Sequence, residues 1–151
     1  MRPAPRIAQL RSVERSPRVH PFGIEEEFVF LDPPTMRPVP VGARALVEAK
    51  ALGFDAASSE FLASQIEFAT GVQHTGAAAE VELAGFRRAI AGVADRLGVI
   101  VASTGAPFDS DVAPDVSPAE RYVRIRDDIA AMVDDHQVCG MHLHLGIAPS
   151  W

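Results

Sequence analysis

Phe22-Gly23-Ile24-Glu25-Glu26-Glu27-Phe28-Val29-Phe30-Leu31 is the stretch on which the fold turns. Its aromatic and branched residues, with Ile24, Phe28 and Phe30 in one alternating set, predict a β-strand. Side chains on a strand alternate between two faces, so Glu25 and Glu27 share one face and Glu26 points the other way, with Ile24, Phe28 and Phe30. Two carboxylates side by side repel unless a cation lies between them, and a hard divalent ion such as Mg²⁺ is the usual occupant. A solvated strand face is the alternative.

Outward from this strand, the pattern keeps switching between helical and extended periods. Asp32-Pro33-Pro34-Thr35 predicts a turn, since neither proline can donate to a sheet ladder. Residues 43–52 predict a helix stopped by Gly53, and residues 64–70 (SQIEFAT) a second strand. The clearest helix is 76–97, where Leu83, Phe86, Ile90, Val93 and Leu97 form one apolar stripe at three- and four-residue steps. Gly98 ends it, and residues 99–102 (VIVA) predict a short buried strand. After a Pro- and Asp-rich loop at 105–116, Ser117-Pro118-Ala119-Glu120 combines a capping box with proline at the first helical position. The helix it opens should reach about Asp135, and residues 137–147 (QVCGMHLHLGI) close the series as a strand. Helices and strands in this order predict an α+β or α/β domain over residues 21–151, with an open antiparallel or mixed sheet flanked by helices. Residues 1–20, rich in arginine and proline, predict a flexible tail.

Composition narrows the function. The chain has 151 residues, 48% of them hydrophobic and 23% charged, which suits a folded domain and not a disordered one. A formal net charge of −6 argues against a nucleic-acid binder, which needs a basic face. The single cysteine, Cys139, excludes an internal disulfide, and no apolar run approaches a membrane span. A cytoplasmic protein is the expectation.

Two further constellations join the glutamate pair. His142 and His144 fall on one face of the last predicted strand, with Met141, Leu143 and Leu145 on the other. An H-x-H on a strand can place both imidazoles on one metal, or one on a metal and one on a phosphate; two merely hydrogen-bonded histidines are the alternative. Gly140 and Gly146 bracket the pair, as glycines do where a ligand or another backbone comes close. Glu67 is the only charge among residues 61–73, and an acid set in so apolar a run is costly to bury without a partner. Glu60 lies just ahead of it, and the plainer use of these acids is an ion pair with Arg121 or Arg124. Cys139 beside the histidine strand predicts inert packing. Acids and imidazoles from three strands together suit Mg²⁺ or Mn²⁺ held with nucleotide phosphates.

Four motifs follow one another in the order of a known pattern: Phe22-Gly23-Ile24-Glu25-Glu26-Glu27-Phe28; Glu60 through Gln65-Ile66-Glu67-Phe68-Ala69-Thr70; Arg121-Tyr122; and Cys139-Gly140-Met141-His142-Leu143-His144-Leu145-Gly146. The chain resembles the N-terminal half of the type 2 glutamate–cysteine ligases, also called carboxylate–amine ligases. The resemblance implies a glutamine synthetase-like catalytic fold and ATP-dependent joining of glutamate's γ-carboxylate to a small amine such as cysteine, through an acyl phosphate. It places the chain in glutathione or related thiol biosynthesis. It implies Glu25, Glu27, Glu60, Glu67 and His142 as ligands of Mg²⁺ or Mn²⁺, His144 as a contact to the ATP phosphates, and Arg121 as a substrate-binding or structural residue. Two departures stand out. Where many members carry Gly-Thr-His-Pro, this chain has Thr104-Gly105-Ala106-Pro107, so Ala106 has no polar role. The family also continues beyond the H-x-H strand with another metal-binding glutamate and several arginines, so a truncated or incomplete form is expected, completed by a C-terminal half or by homo-oligomerisation. A non-catalytic metal-binding remnant or interaction module is the alternative, and a metal hydrolase built on His142 and His144 a distant third.

Overall fold

The computed structural model describes residues 20–107, 114–129 and 137–147. Among them the order is β1 (Phe22–Leu31), α1 (Gly42–Ala51), β2 (Ala57–Ser59), β3 (Gln65–Ala69), α2 (Gly76–Leu97), β4 (Ile100–Ala102), α3 (Glu120–Ile129) and β5 (Met141–Leu145). Every ladder is antiparallel, which removes the mixed-sheet alternative and leaves an α+β architecture on an open antiparallel sheet. The expected tail, the far end of the third helix and the last four residues lie outside the described residues, apart from His20.

β1 is the hub of the sheet. One edge carries β3 along Glu25–Val29, and β2 lies beyond β3. The other edge is divided: β4 pairs with Val29, Phe30 and Leu31, and β5 pairs with residues 22–26. Alternation then sorts β1 by chemistry. Phe28 and Phe30 point into a core with Ile66 and Phe68 of β3, Ala45 and Ala49 of α1, and Leu83, Phe86, Ile90 and Val93 of α2. The Phe86 ring stacks on Phe68 at 4.2 Å and meets Phe28 edge-on at 5.2 Å. A fully buried phenylalanine contributes about 1.5–3 kcal/mol, so this cluster fixes which face of the sheet the helices cover. Glu25, Glu27, Val29 and Leu31 take the opposite face, where Val29 and Leu31 pack on Cys139.

The helix ends follow from local chemistry. Thr75 accepts the Ala78 amide at 3.3 Å to cap α2, and Gly98, at φ 71°, closes it in the left-handed conformation that glycine adopts without steric cost. α1 has no side-chain cap, and its first residue sits hard against the start of β3: a Cβ on Gly42 would lie 2.5 Å from the Gln65 carbonyl oxygen and 2.8 Å from that of Ala63. The capping box at 117–120 does not form as expected. The Ser117 hydroxyl donates to the Glu60 carbonyl, and α3 begins at Glu120. That bond, with Ser117 N–H to Phe61 O at 2.8 Å, ties the α3 approach to the loop carrying Glu60. No helix among the described residues is long and apolar enough to cross a membrane.

Candidate metal centre

The sheet register assembles the site on the face opposite the helices. Glu27 of β1 lies directly across from Glu67 of β3, and Glu25 directly across from His142 of β5. His144 is opposite Gly23, two residues along the same face. Glu25 therefore sits between the imidazoles, with Oε2 2.8 Å from His144 Nε2 and 3.6 Å from His142 Nδ1. Two donor triads result, Glu25–His142–His144 and Glu27–Glu67–His142, each with ligand atoms within 4.8 Å of one another. His142 belongs to both.

The backbone steadies these groups. Glu27 is buried and its Oε2 accepts the Gly140 amide at 2.7 Å, while its own N–H donates to the Gly140 carbonyl. Gly146 lets the chain pass close to Pro21, whose oxygen takes the Gly146 N–H at 2.7 Å; a Cβ there would lie 2.8 Å from the proline ring. The two glycines thus bring backbone or carboxylate against each end of the histidine strand. Glu67 accepts the Ser58 hydroxyl at 3.3 Å. Cys139 is buried, its thiol donates to the Glu27 carbonyl at 3.2 Å, and burial pushes its pKa up, all consistent with packing and not reactivity.

Glu60 stands outside both triads. It is half-buried and faces a hollow of about 330 Å³ together with Ser58, Ser59, Glu67, Arg121 and Tyr122. Desolvation raises its carboxyl pKa and the Glu27 charge raises it further, against a lowering pull from the Phe61 amide, Arg121 and His142. Glu67 is raised by desolvation and then by the charges of Glu25, Glu60 and Glu27. These are acids held together without a full complement of positive charge, the situation a divalent cation relieves. Three carboxylates and two imidazoles in the triads fit such an ion as ligands, and Glu60 is coupled electrostatically to Glu27 and His142 of the set.

The alternative use of Glu60 and Glu67, an ion pair with Arg121 or Arg124, does not form among the described residues. Arg124 faces Glu120 at 3.7 Å. Arg121 lies 4.7 Å over the Tyr122 ring and 3.3 Å from its hydroxyl, which itself donates to Ser59 O at 2.8 Å. Tyr122 is a hollow-lining residue that sequence reasoning passed over as a site residue. The available signal was its being the chain's single tyrosine, next to Arg121. Glu26, flanked by Glu25 and Glu27, belongs to neither triad. It is 2% exposed on the helix face and bound by Arg87 of α2, with Nε at 2.9 Å from Oε2 and Nη2 at 2.9 Å from Oε1.

Comparison with known proteins shows the family. The model of glutamate–cysteine ligase family 2 matches residues 21–150. The chain belongs to glutamate–cysteine ligase family 2. Among its relatives, "Putative glutamate--cysteine ligase 2-1" of Saccharopolyspora erythraea is 36% identical over 126 residues, covering 83% of this chain and 33% of the relative. "Putative glutamate--cysteine ligase 2" of Rhodospirillum rubrum is 34% identical over 131 residues, covering 83% and 34%. The protein of that name from Salinispora tropica is 30% identical, covering 83% and 33%. The chain therefore spans about a third of the length of the curated glutamate–cysteine ligase 2 relatives it matches.

Proposed function

We propose that this chain carries the metal-holding part of an ATP-dependent carboxylate–amine ligase that joins the γ-carboxylate of glutamate to a small amine such as cysteine. The observation that carries the reading is the pair of donor triads sharing His142 on one sheet face, in a member of a glutamate–cysteine ligase family. Glu25, Glu27, Glu67 and His142 would hold Mg²⁺ or Mn²⁺, with Glu60 at the margin of the set. Bound there, the ions would neutralise charge on the ATP phosphates and the acyl phosphate.

The chain's own groups have separable tasks. Glu25 holds both imidazoles in place, and the Gly140 amide fixes the Glu27 carboxylate. His144 lies at the outer end of the donor row, where it can reach a phosphate while keeping Glu25 oriented. Arg121, braced on the Tyr122 ring, puts a cation at the mouth of a hollow otherwise lined by Glu60 and Glu67, a setting for the carboxylate of an amino-acid substrate. A cytoplasmic setting, where ATP and glutamate are abundant, goes with this reading, and the product would serve thiol biosynthesis.

A thermal melt with and without Mg²⁺ and ATP tests it. A stabilisation that requires both supports nucleotide binding by this part of the site, and glutamate- and cysteine-dependent phosphate release should follow once the rest of a ligase is supplied. A second reading, which the donor triads by themselves support equally, is a metal-binding module without turnover. That reading expects stabilisation by metal alone, with ATP adding nothing.

A further inference from the structure

The two donor triads differ in chemistry. Glu27–Glu67–His142 offers two carboxylates and one imidazole, whereas Glu25–His142–His144 offers two imidazoles and one carboxylate. Oxygen-rich sets suit Mg²⁺ and Mn²⁺; imidazole suits Zn²⁺ and its neighbours in the first transition row. The outer set also has the spacing such an ion needs. An ion about 2.1 Å from each donor holds neighbouring donors roughly 3.0–3.4 Å apart, and Glu25 Oε2 lies 2.8 Å from His144 Nε2 and 3.6 Å from His142 Nδ1. The two rings stand at 81° with centroids 6.3 Å apart, so neither shields the other's nitrogens by stacking. His142 is shared by its two ends. Its Nδ1 looks toward Glu25, while its Nε2 borders the space above Gly140: a Cβ there would lie 3.6 Å from Nε2 and 3.7 Å from Glu27 Oε1. Glycine at this position thus keeps room between an imidazole nitrogen and a carboxylate on the inner side as well. A neutral imidazole has one lone pair to give, so His142 serves one triad at a time.

We propose that Glu25, His142 and His144 form a site for a zinc-class divalent ion, distinct in metal preference from the inner triad and exclusive of it through His142. In the metal-free chain His144 Nε2 and Glu25 Oε2 share a hydrogen bond of 2.8 Å. The ion takes the place of that proton, which passes through solvent to Nδ1 of a neutral ring or leaves altogether from a charged one. His144 is the discriminating residue, since it belongs to the outer triad and not to the inner one. The site itself rests only on the donor geometry. Its consequence rests on the ligase reading: a zinc-class ion at the outer triad withdraws His142 from the Mg²⁺ or Mn²⁺ set and His144 from the phosphates, so it inhibits until Mg²⁺ and ATP displace it.

Calorimetric titration of the metal-stripped chain with Zn²⁺, Mn²⁺ and Mg²⁺ at pH 7.5 provides the test. One Zn²⁺ per chain is expected, bound at least about a hundredfold more tightly than Mg²⁺. His144→Ala should weaken Zn²⁺ binding by at least about thirtyfold and Mn²⁺ binding by less than about threefold, and Glu67→Gln should do the reverse. Zn²⁺ added to the Mn²⁺-loaded chain should release Mn²⁺, seen as the paramagnetic resonance signal of the free ion, because the two triads share His142. In the parent, Zn²⁺ should also shift the imidazole nitrogen resonances of both His142 and His144, a readout that depends on no variant folding. Zn²⁺ bound no more tightly than Mg²⁺, Zn²⁺ affinity indifferent to His144→Ala, His144 resonances unmoved by Zn²⁺, or Zn²⁺ and Mn²⁺ bound side by side would each overturn the proposal. Selective Zn²⁺ binding with no effect of ATP on the thermal melt would leave the site standing and count only against the ligase reading.

Discussion

Replacing Glu67 with glutamine separates the cost of the acidic cluster from its use. Ligand atoms of Glu27, Glu67 and His142 lie within 4.8 Å of one another. Two unit charges at that distance repel by about 3.5 kcal/mol at an effective dielectric constant of 20 and about 0.9 kcal/mol in bulk water. Glu67 is partly exposed, so the net repulsion relieved by Glu67→Gln is about 1–3 kcal/mol, and glutamine can still accept the Ser58 hydroxyl. In EDTA at pH 7.5 the variant should therefore melt at least about 3 °C above the parent. The sign reverses neither by salt nor by temperature, but it does fade with acid. The folded carboxyl groups of Glu60 and Glu67 have pKa values above their ordinary 4.5, so between that value and the raised ones the folded state binds more protons than the unfolded state. Stability of the metal-free parent then falls as pH rises through this window and is recovered below it, where the variant's advantage should vanish. With Mn²⁺ or Mg²⁺ the variant's advantage shrinks, and inverts where the relieved repulsion is at the low end: at a hundred times Kd a bound ion stabilises the parent by about 2.7 kcal/mol, and the variant loses most of that gain. Melts followed by circular dichroism from pH 4 to 8, in EDTA and in metal, provide the comparison. A variant less stable than the parent in EDTA at pH 7.5, or an equal metal-induced shift in both proteins, would refute the reasoning.

Other perturbations probe separate parts of the fold. Arg87→Ala strands the buried Glu26 carboxylate and should cost about 2–4 kcal/mol in urea denaturation, while Glu26→Gln combined with Arg87→Ala recovers part of it; an additive double variant would show that the pair is not coupled. His142→Ala removes a donor common to both triads, so calorimetric Mn²⁺ titration should show at least roughly tenfold more affinity lost than with His144→Ala. Gly42→Ala drives a methyl group to 2.5 Å from the Gln65 carbonyl oxygen and should cost about 1–3 kcal/mol as α1 is pushed off β3; an unchanged urea midpoint would mean the helix start can shift freely.

The elements with a strong period were legible in the sequence. The apolar stripe of α2 and the alternation of β1, β3 and β5 set both their existence and their faces, and all four sit where the pattern put them. β2 escaped notice because Ala57-Ser58-Ser59 has neither length nor alternation, and it forms only because β3 presents an edge to it. Ser117 fits a capping box on paper but is drawn away by the Glu60 carbonyl, a partner 57 residues distant. The same limit applies at the site. Glu25, Glu27, Glu67, His142 and His144 could be picked out one strand at a time, since each is a polar group at a fixed strand parity. That Glu27 faces Glu67, that Glu25 is shared by two imidazoles, and that Glu60 stands aside all depend on inter-strand register, which no local pattern encodes. Arg87, 61 residues from Glu26, could be named as its partner only once α2 lay on the sheet.

The three successive glutamates of β1 have a consequence for how this strand finds its place. A slip of one residue against β3 and β5 exchanges its faces. Glu25 and Glu27 would then enter the phenylalanine core with one arginine between them, Phe28 and Phe30 would surface among the histidines, and Glu26 would stand there in place of two carboxylates. Each of these errors carries its own penalty, and all arise together, so the run proofreads its own register. Glutamates that look interchangeable in the sequence are therefore not so: changes at position 26 should be selected with Arg87, and changes at 25 and 27 with the histidines of β5.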